Sequence, residues 1–124
     1  MSVQYNVSPN GLRIETYPDG ILGIKETVDY FERLKSDENI KPGAVEIIYF
    51  KNVTDFRISY LEGETIVRKY QEAIAQHMIE VTIFVCETNV AYGIGRMLKA
   101  LHEIANPRHK VMFVRSESEI DNVT

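Results

Sequence analysis

The chain has 124 residues, of which 44% are hydrophobic and 26% are charged, a balance typical of a soluble globular domain. We therefore expect one domain over residues 1–124, and neither a disordered tail nor a disulfide-stapled miniprotein. The formal net charge of −4 disfavours binding to nucleic acid or to anionic lipid, because both require an excess of positive charge.

Short strands are predicted at the beginning of the chain. β-branched and aromatic residues favour strands over Val3–Val7 and Leu12–Tyr17, with the turn sequence Ser8–Gly11 between them. A second turn at Pro18–Gly20 predicts that Ile21–Ile24 folds back on the preceding strand as an antiparallel hairpin.

The hydrophobic period then changes to that of a helix. Starting at Thr27, this predicted helix carries Val28, Phe31 and Leu34 on one face. The nearly continuous apolar run Ala44–Phe50 predicts a strand that is buried on both faces.

A long second helix is predicted from Tyr60 to His77. Ser59 and Glu62 fit a capping box, in which the side chain of each residue accepts a hydrogen bond from the backbone N–H of the other. The predicted apolar face of this helix comprises Tyr60, Val67, Tyr70, Ile74 and Met78.

A second buried strand, Val81–Cys86, precedes a third helix for which Asn89 is the predicted N-cap. The helix is predicted to end at Asn106–Pro107. Its predicted apolar stripe comprises Val90, Ile94, Met97, Leu98, Leu101 and Ile104.

A last strand is predicted over Lys110–Val114, followed by a possible capping box of Ser116 and Glu119 that begins at most a helical stub. Alternating strands and helices predict an α/β fold. We expect a mixed, mostly parallel sheet with an antiparallel N-terminal hairpin and flanking helices.

The cellular compartment is predicted from the single cysteine and from the lack of secretory or membrane-spanning segments in the sequence. Cys86 is the single cysteine, which rules out an intrachain disulfide and favours a reducing compartment. The N-terminal residues do not resemble a secretory signal, and no apolar run approaches the length of about 20 residues needed to span a bilayer. We expect a cytoplasmic protein without stable membrane insertion.

Two motifs that suggest cofactors are interpreted as structural. Gly93–Leu98 begins like a dinucleotide-binding fingerprint but lacks the third glycine and falls within a predicted helix, so its small residues indicate close packing. His77, His102 and His109 lack the spacing of a metal site and are predicted to be structural residues, at the surface or partly buried. We expect neither a cofactor nor a metal.

Two sets of residues could suggest an enzyme, but a structural role is favoured for each. Cys86 precedes a helix N-terminus, which would activate a thiol, but a free cysteine at the end of an apolar strand is more often a core residue. Asp55 and Glu87 are carboxylates at the expected rim of the sheet, without an identifiable partner for catalysis.

The carboxyl ends of the parallel strands are the expected position of a ligand site. This rim is predicted to gather Lys51, Asn52, Asp55 and Ser59 from one crossover and Glu87, Thr88 and Asn89 from the next. Two helix N-termini there would favour an anion. The alternative is that Ser59 and Asn89 are only caps.

The segment Asn89–Met97, which follows an apolar strand, resembles the SpoIIAA-like family of bacterial STAS-type domains. The resemblance covers about Leu12 to Glu119 and implies a fold similar to that of anti-sigma-factor antagonists and of SEC14-type lipid-binding domains. The regulatory serine of the antagonists is matched by Ser59, although Ile58 stands where the family has an aspartate.

Three functions remain open on this reading, and the first is favoured. The first is a non-enzymatic regulatory or protein-interaction module, with a protein partner or with self-association through the N-terminal strand edge. The second is a domain that binds a lipid or another small apolar ligand beneath Tyr60, Tyr70, Tyr92 and Met97, and the third is a Cys86-dependent enzyme. The candidate ligand or regulatory residues are Lys51, Ser59, Asn89, Tyr92 and Arg96.

Overall fold

The structure, a computed structural model, describes residues 3–77, 79–105 and 109–120, with side chains described except at positions 101, 104 and 105. The elements in chain order are β1 (Gln4–Val7), β2 (Arg13–Tyr17), β3 (Asp19–Gly23), α1 (Ile24–Lys35), β4 (Val45–Tyr49), β5 (Asn52–Arg57), α2 (Tyr60–His77), β6 (Val81–Val85), α3 (Asn89–Ala105), β7 (Lys110–Val114) and a 3₁₀ turn (Glu117–Glu119). The predictions at Met78, Leu101, Ile104 and Asn106–Pro107 lie outside what the structure describes.

The main sheet has the strand order β1-β2-β4-β6-β7. β1 and β2 are antiparallel, whereas β2, β4, β6 and β7 are parallel to their neighbours. This arrangement confirms the predicted mixed, mostly parallel sheet with an antiparallel N-terminal hairpin.

The predicted hairpin between β2 and the following strand is wrong. β3 instead pairs in parallel with β5 as a separate two-stranded sheet, in which Leu22 lies opposite Phe56. β5 was not expected from the sequence, because its side chains are mostly polar and exposed. Val53 and Phe56 nevertheless pack against the core, and they hold this small sheet at the carboxyl ends of β2 and β4.

The three helices lie on one face of the main sheet. Ile48 and Phe84 point into the core that the helices cover, whereas Ile47 and Ile83 point to the opposite face, where Ile120 packs beside them. The strands predicted to be buried on both faces are therefore confirmed, since burial of apolar surface on each side stabilises them.

The bounds of α2 match those predicted from the sequence, whereas the start of α1 differs slightly from the prediction. α1 begins at Ile24 instead of Thr27, because the Glu26 carboxylate accepts a hydrogen bond from the Gly23 N–H (3.2 Å) and the Thr27 hydroxyl donates to the Gly23 carbonyl (2.7 Å). In the part of the chain that the structure describes, no helix is long and apolar enough to cross a bilayer.

Candidate functional site

The carboxyl edge of the main sheet, where α2 and α3 begin, holds most of the residues that the sequence singled out. Ser59 is the exposed N-cap of α2, and the predicted capping box is confirmed. The Ser59 hydroxyl oxygen accepts from the Glu62 N–H (3.1 Å), and the Ser59 N–H donates to the Glu62 carboxylate (2.9 Å). The hydroxyl thus lies at the surface, in the first turn of a helix.

The predicted cap of α3 is off by one residue. Thr88 caps this helix, because its hydroxyl oxygen accepts from the Ala91 N–H (3.1 Å). Asn89 is the first helical residue, and its side-chain oxygen accepts from the guanidinium of Arg115 (3.1 Å).

Tyr92 belongs to the same group of contacts as Asn89. The Arg115 guanidinium lies over the Tyr92 ring, 4.7 Å from its centroid, and Phe113 packs edge-on against that ring at 4.9 Å. Arg115 was missed in the sequence, although it follows β7 at the same carboxyl edge and the rule that selected Asn89 applies to it equally.

The other predicted site residues are not brought to this group. Lys51 is exposed and lines a groove of about 220 Å³ with Tyr17, Tyr49 and Glu87, but Ser59 and Arg96 are not among its lining residues. Arg96 is exposed about two turns into α3, away from the helix N-terminus. The predicted rim is therefore assembled only in part: Asn52 also lines this groove with Lys51 and Glu87, whereas Asp55 of β5 pairs with Arg57 (3.0 Å) instead.

Large apolar side chains are exposed at this edge. Tyr60 is 61% exposed, Leu61 74% and Val90 64%, and all three lie in the first turns of α2 and α3. We call these three residues the edge surface. The prediction that Tyr60 and Val90 belong to buried helix faces is wrong, because the first turn of each helix carries them into solvent.

Cys86 is a core residue, as the favoured interpretation predicted. Its side chain is buried, and this burial raises the pKa of the thiol to about 11, despite the opposing effect of Arg115. A Cβ atom at Gly95 would lie 2.8 Å from the Cys86 sulfur, so the glycine allows α3 to approach β6 closely. A neutral, buried thiol does not act as a nucleophile at neutral pH.

Two of the histidines are more deeply buried than expected. His102 and His109 are buried with their ring centroids 5.9 Å apart, and burial lowers the pKa of His102 to about 3 and of His109 to about 4. His77 hydrogen-bonds the Lys35 carbonyl oxygen through Nε2 (3.0 Å). Within the described ranges, no three His, Cys, Asp or Glu side chains converge to hold a metal ion.

An interior polar group was not found from the sequence. It comprises Thr16, Tyr30, Glu46, Tyr70, Thr82 and His109, which are joined by hydrogen bonds between the helices and the sheet. We call these residues the Glu46 cluster. The only sequence signal was a glutamate within an otherwise apolar strand.

A cavity in the core bears on the ligand-binding alternative. It has a volume of about 50 Å³ and lies between the helices and the sheet, where Tyr70, Phe31 and Ile66 are among its lining residues. Tyr60, Tyr92 and Met97, which were expected to line such a pocket, do not contribute to it. An engineered cavity of about 150 Å³ binds benzene, so the volume found here is small for an acyl chain.

Comparison with solved structures identifies the fold. An uncharacterised DUF3478-family protein with a SpoIIAA-like fold from Shewanella loihica PV-4 superposes with a TM-score of 0.57 at 10% identity, over 98% of this chain and 91% of that chain. The anti-sigma factor antagonist SpoIIAA in its unphosphorylated form gives 0.53 at 14% identity, over 98% and 97%. The phosphorylated form of the Bacillus cell fate determinant SpoIIAA gives 0.50 at 14%, over 99% and 100%.

The chain therefore has the SpoIIAA-like fold, as the resemblance of Asn89–Met97 predicted. No protein-family model matches the sequence, and no curated protein is similar to it in sequence.

Proposed function

We propose that the protein is a non-enzymatic, regulatory STAS-type module that binds a protein partner through the edge surface. The observation that carries this proposal is the exposure of Tyr60, Leu61 and Val90 at the start of two helices. Exposed large apolar side chains at one edge of a fold are typical of interaction sites, since a partner removes them from water. The fold shared with an anti-sigma factor antagonist supports a regulatory role.

Ser59 is the proposed regulatory residue of this surface. Its hydroxyl is exposed next to Tyr60, and a phosphate there would add nearly two negative charges at a helix N-terminus, where the dipole stabilises an anion. The same charge would repel Glu62 from the capping box, so the first turn of α2 would change together with the surface.

The remaining candidate residues frame the edge surface. Asn89 and Tyr92, which Arg115 holds together, flank Val90, while Lys51 and Arg96 supply positive charge further away. The buried thiol of Cys86 supports a non-enzymatic role. A single, unpaired cysteine supports a reducing compartment such as the cytoplasm as the location. The small volume of the core cavity makes a lipid or another small apolar ligand the less supported alternative.

Affinity capture with matched serine variants tests the interaction surface. Leu61→Ser alters the edge surface, whereas Leu12→Ser alters a side chain that is 44% exposed at the opposite end of the strands. We expect at least one host protein to be captured by the wild-type protein and by Leu12→Ser but not by Leu61→Ser. The affinity of that protein for each variant is then measured with purified components. Equal recovery with both variants, together with equal self-association in sedimentation velocity, would contradict the proposal.

Substitution of Ser59 tests the regulatory part separately. Ser59→Asp keeps a good cap and adds charge, whereas Ser59→Ala removes the cap at a cost of about 1 kcal/mol without adding charge. We expect partner affinity to change with Ser59→Asp and to remain with Ser59→Ala. If the two variants bind the partner equally, Ser59 is only a cap.

A further inference from the structure

Glu46 is a fully buried carboxyl group on the helix-facing side of β4. Each of its oxygens has one hydroxyl partner: the Tyr30 hydroxyl donates to Oε2, and the Thr82 hydroxyl donates to Oε1 (3.0 Å). Among the described residues, no lysine or arginine forms an ion pair with it. A buried carboxylate without a cation is costly, because the interior solvates charge poorly.

The groups that surround Glu46 do not supply a positive charge either. Tyr70 on α2 and His109 before β7 both reach the Thr82 hydroxyl, at 2.5 Å and 2.9 Å, and Tyr30 on α1 also contacts Thr16 of β2 (2.7 Å). Burial keeps the pKa of His109 well below neutral, and the same holds for His102 on α3, which packs beside it. Burial and the nearby Glu46 raise the pKa of Tyr30 well above its ordinary value.

The hydrogen bonds around Glu46 can be satisfied in either protonation state. When the carboxyl is ionised, it accepts from Tyr30 and Thr82, while the Thr82 oxygen accepts from Tyr70 and from the Nε2–H of His109. When it is protonated, its proton is donated to the Tyr30 oxygen, and the Tyr30 hydroxyl turns to donate to Thr16. Ionisation releases one proton to solvent, and hydroxyl rotation is the only other change between the two states, so they differ mainly in the charge placed in the core.

We propose that Glu46 is a pH-sensitive switch of the helix layer, in which ionisation places an unpaired negative charge beneath α1 and α2 and loosens their packing on the sheet. Burial raises the pKa of Glu46 from 4.5 to about 7, so the switch operates close to neutral pH. The neutral carboxyl favours the folded state. Its contribution to stability is complete below the unfolded pKa of 4.5 and is lost as the pH rises through about 7.

Urea unfolding of Glu46→Gln and of the wild-type protein tests this proposal. Glutamine keeps the shape without the titration, and Glu64→Gln removes an exposed carboxylate of α2 as the matched control. We expect the unfolding constant of the wild-type protein, divided by that of Glu46→Gln, to rise more than about tenfold from pH 5 to pH 8. The reason is that the Glu46 carboxyl of the folded wild-type protein loses its proton over this range, whereas glutamine has none to lose. The ratio with Glu64→Gln should stay constant, and a constant ratio with Glu46→Gln would overturn the proposal.

Three further measurements keep the proposal testable if Glu46→Gln does not fold. In the wild-type protein, the carboxyl carbon signal of Glu46 should titrate near neutral pH. The protection factors of the α1 amides, which correct for the intrinsic rise of exchange with pH, should fall above that midpoint. Tyr30→Phe removes a hydrogen bond that favours the ionised form, so it should move the midpoint to higher pH. A Glu46 signal that does not change from pH 5 to pH 9 would overturn the switch.

Discussion

The Glu46 cluster and the edge surface both depart from the usual distribution of side chains: the first buries polar groups, and the second exposes apolar ones. Glu46 and Thr82 are polar and completely buried, whereas Leu61 and Val90 are apolar and mostly exposed. The interior polar group is closely hydrogen-bonded and links strands to helices, so its loss affects folding. The edge surface contributes little to the core, so it is available for a partner.

The largest expected difference between the two regions is their response to acid. The folded pKa values of His102 (about 3) and His109 (about 4) lie below the unfolded value of 6.5, so both rings favour the folded state only while neutral. Their contribution is complete above pH 6.5 and is lost as the pH falls through about 4 for His109 and about 3 for His102. Each costs about 1.4 kcal/mol per pH unit between these limits.

Urea unfolding from pH 6.5 to pH 4.5 measures this acid sensitivity. Glu46 acts in the opposite sense over this whole range, because its pKa is 4.5 in the unfolded chain and about 7 in the folded protein. The slope of the unfolding free energy against pH is therefore compared between the wild-type protein and His109→Gln, in which it should correspond to about one proton fewer. An unchanged slope in this variant would show that His109 is not held neutral by its burial.

Replacement of Thr82 by valine is the next largest expected effect. The Thr82 hydroxyl contacts Tyr70, Glu46 and His109, and valine leaves all three without that partner in the core. We expect a loss of about 2–4 kcal/mol in the free energy of unfolding. Thr54→Val on the exposed side of β5 is the control and should change stability by less than about 0.5 kcal/mol. Equal effects of the two substitutions would contradict the role of the cluster.

A smaller effect is expected where α3 meets the sheet. Gly95→Ala places a methyl group 2.8 Å from the Cys86 sulfur and should cost about 1–3 kcal/mol, even after the higher helix propensity of alanine. Gly93→Ala in the same helix meets no atom within 4 Å and should stabilise the protein by up to about 1 kcal/mol. Thermal unfolding distinguishes the two, and a similar gain in both variants would show that the approach of α3 is not tight.

The smallest effect on stability is expected at the edge surface. Leu61→Ser and Val90→Ser remove side chains that are already mostly in water, so we expect changes of less than about 0.5 kcal/mol in urea unfolding. A loss of more than about 2 kcal/mol would assign these side chains to the fold and would remove the argument that they are free to bind a partner.

Local patterns were sufficient for most of the fold. The predicted bounds of α2 match the structure, and the strands at β4, β6 and β7 were found, because apolar periodicity and runs of β-branched residues act over short distances. The pairing of β3 with β5 was missed because the mostly polar, exposed side chains of β5 give no strand signal, and because the turn sequence Pro18–Gly20 favours a local hairpin.

The candidate site was less predictable than the fold. Periodicity gives the direction of Tyr60 and Val90 around a helix but not where the sheet beneath them ends, so their exposure was not foreseen. Glu46 stood out only as one charge in an apolar strand. Its partners Tyr30 and Thr82 come from other elements, and only the tertiary structure brings them together.

Hydrogen–deuterium exchange of the protein, alone and with the partner captured through Leu61, locates the surface that the partner covers. We predict that the partner slows exchange of backbone amides in the first turns of α2 and α3, at residues 60–64 and 89–93. Protection elsewhere, for example along the outer edge of β1 or the outer face of α1, with no change in those two turns, would contradict the assignment of the edge surface as the binding site.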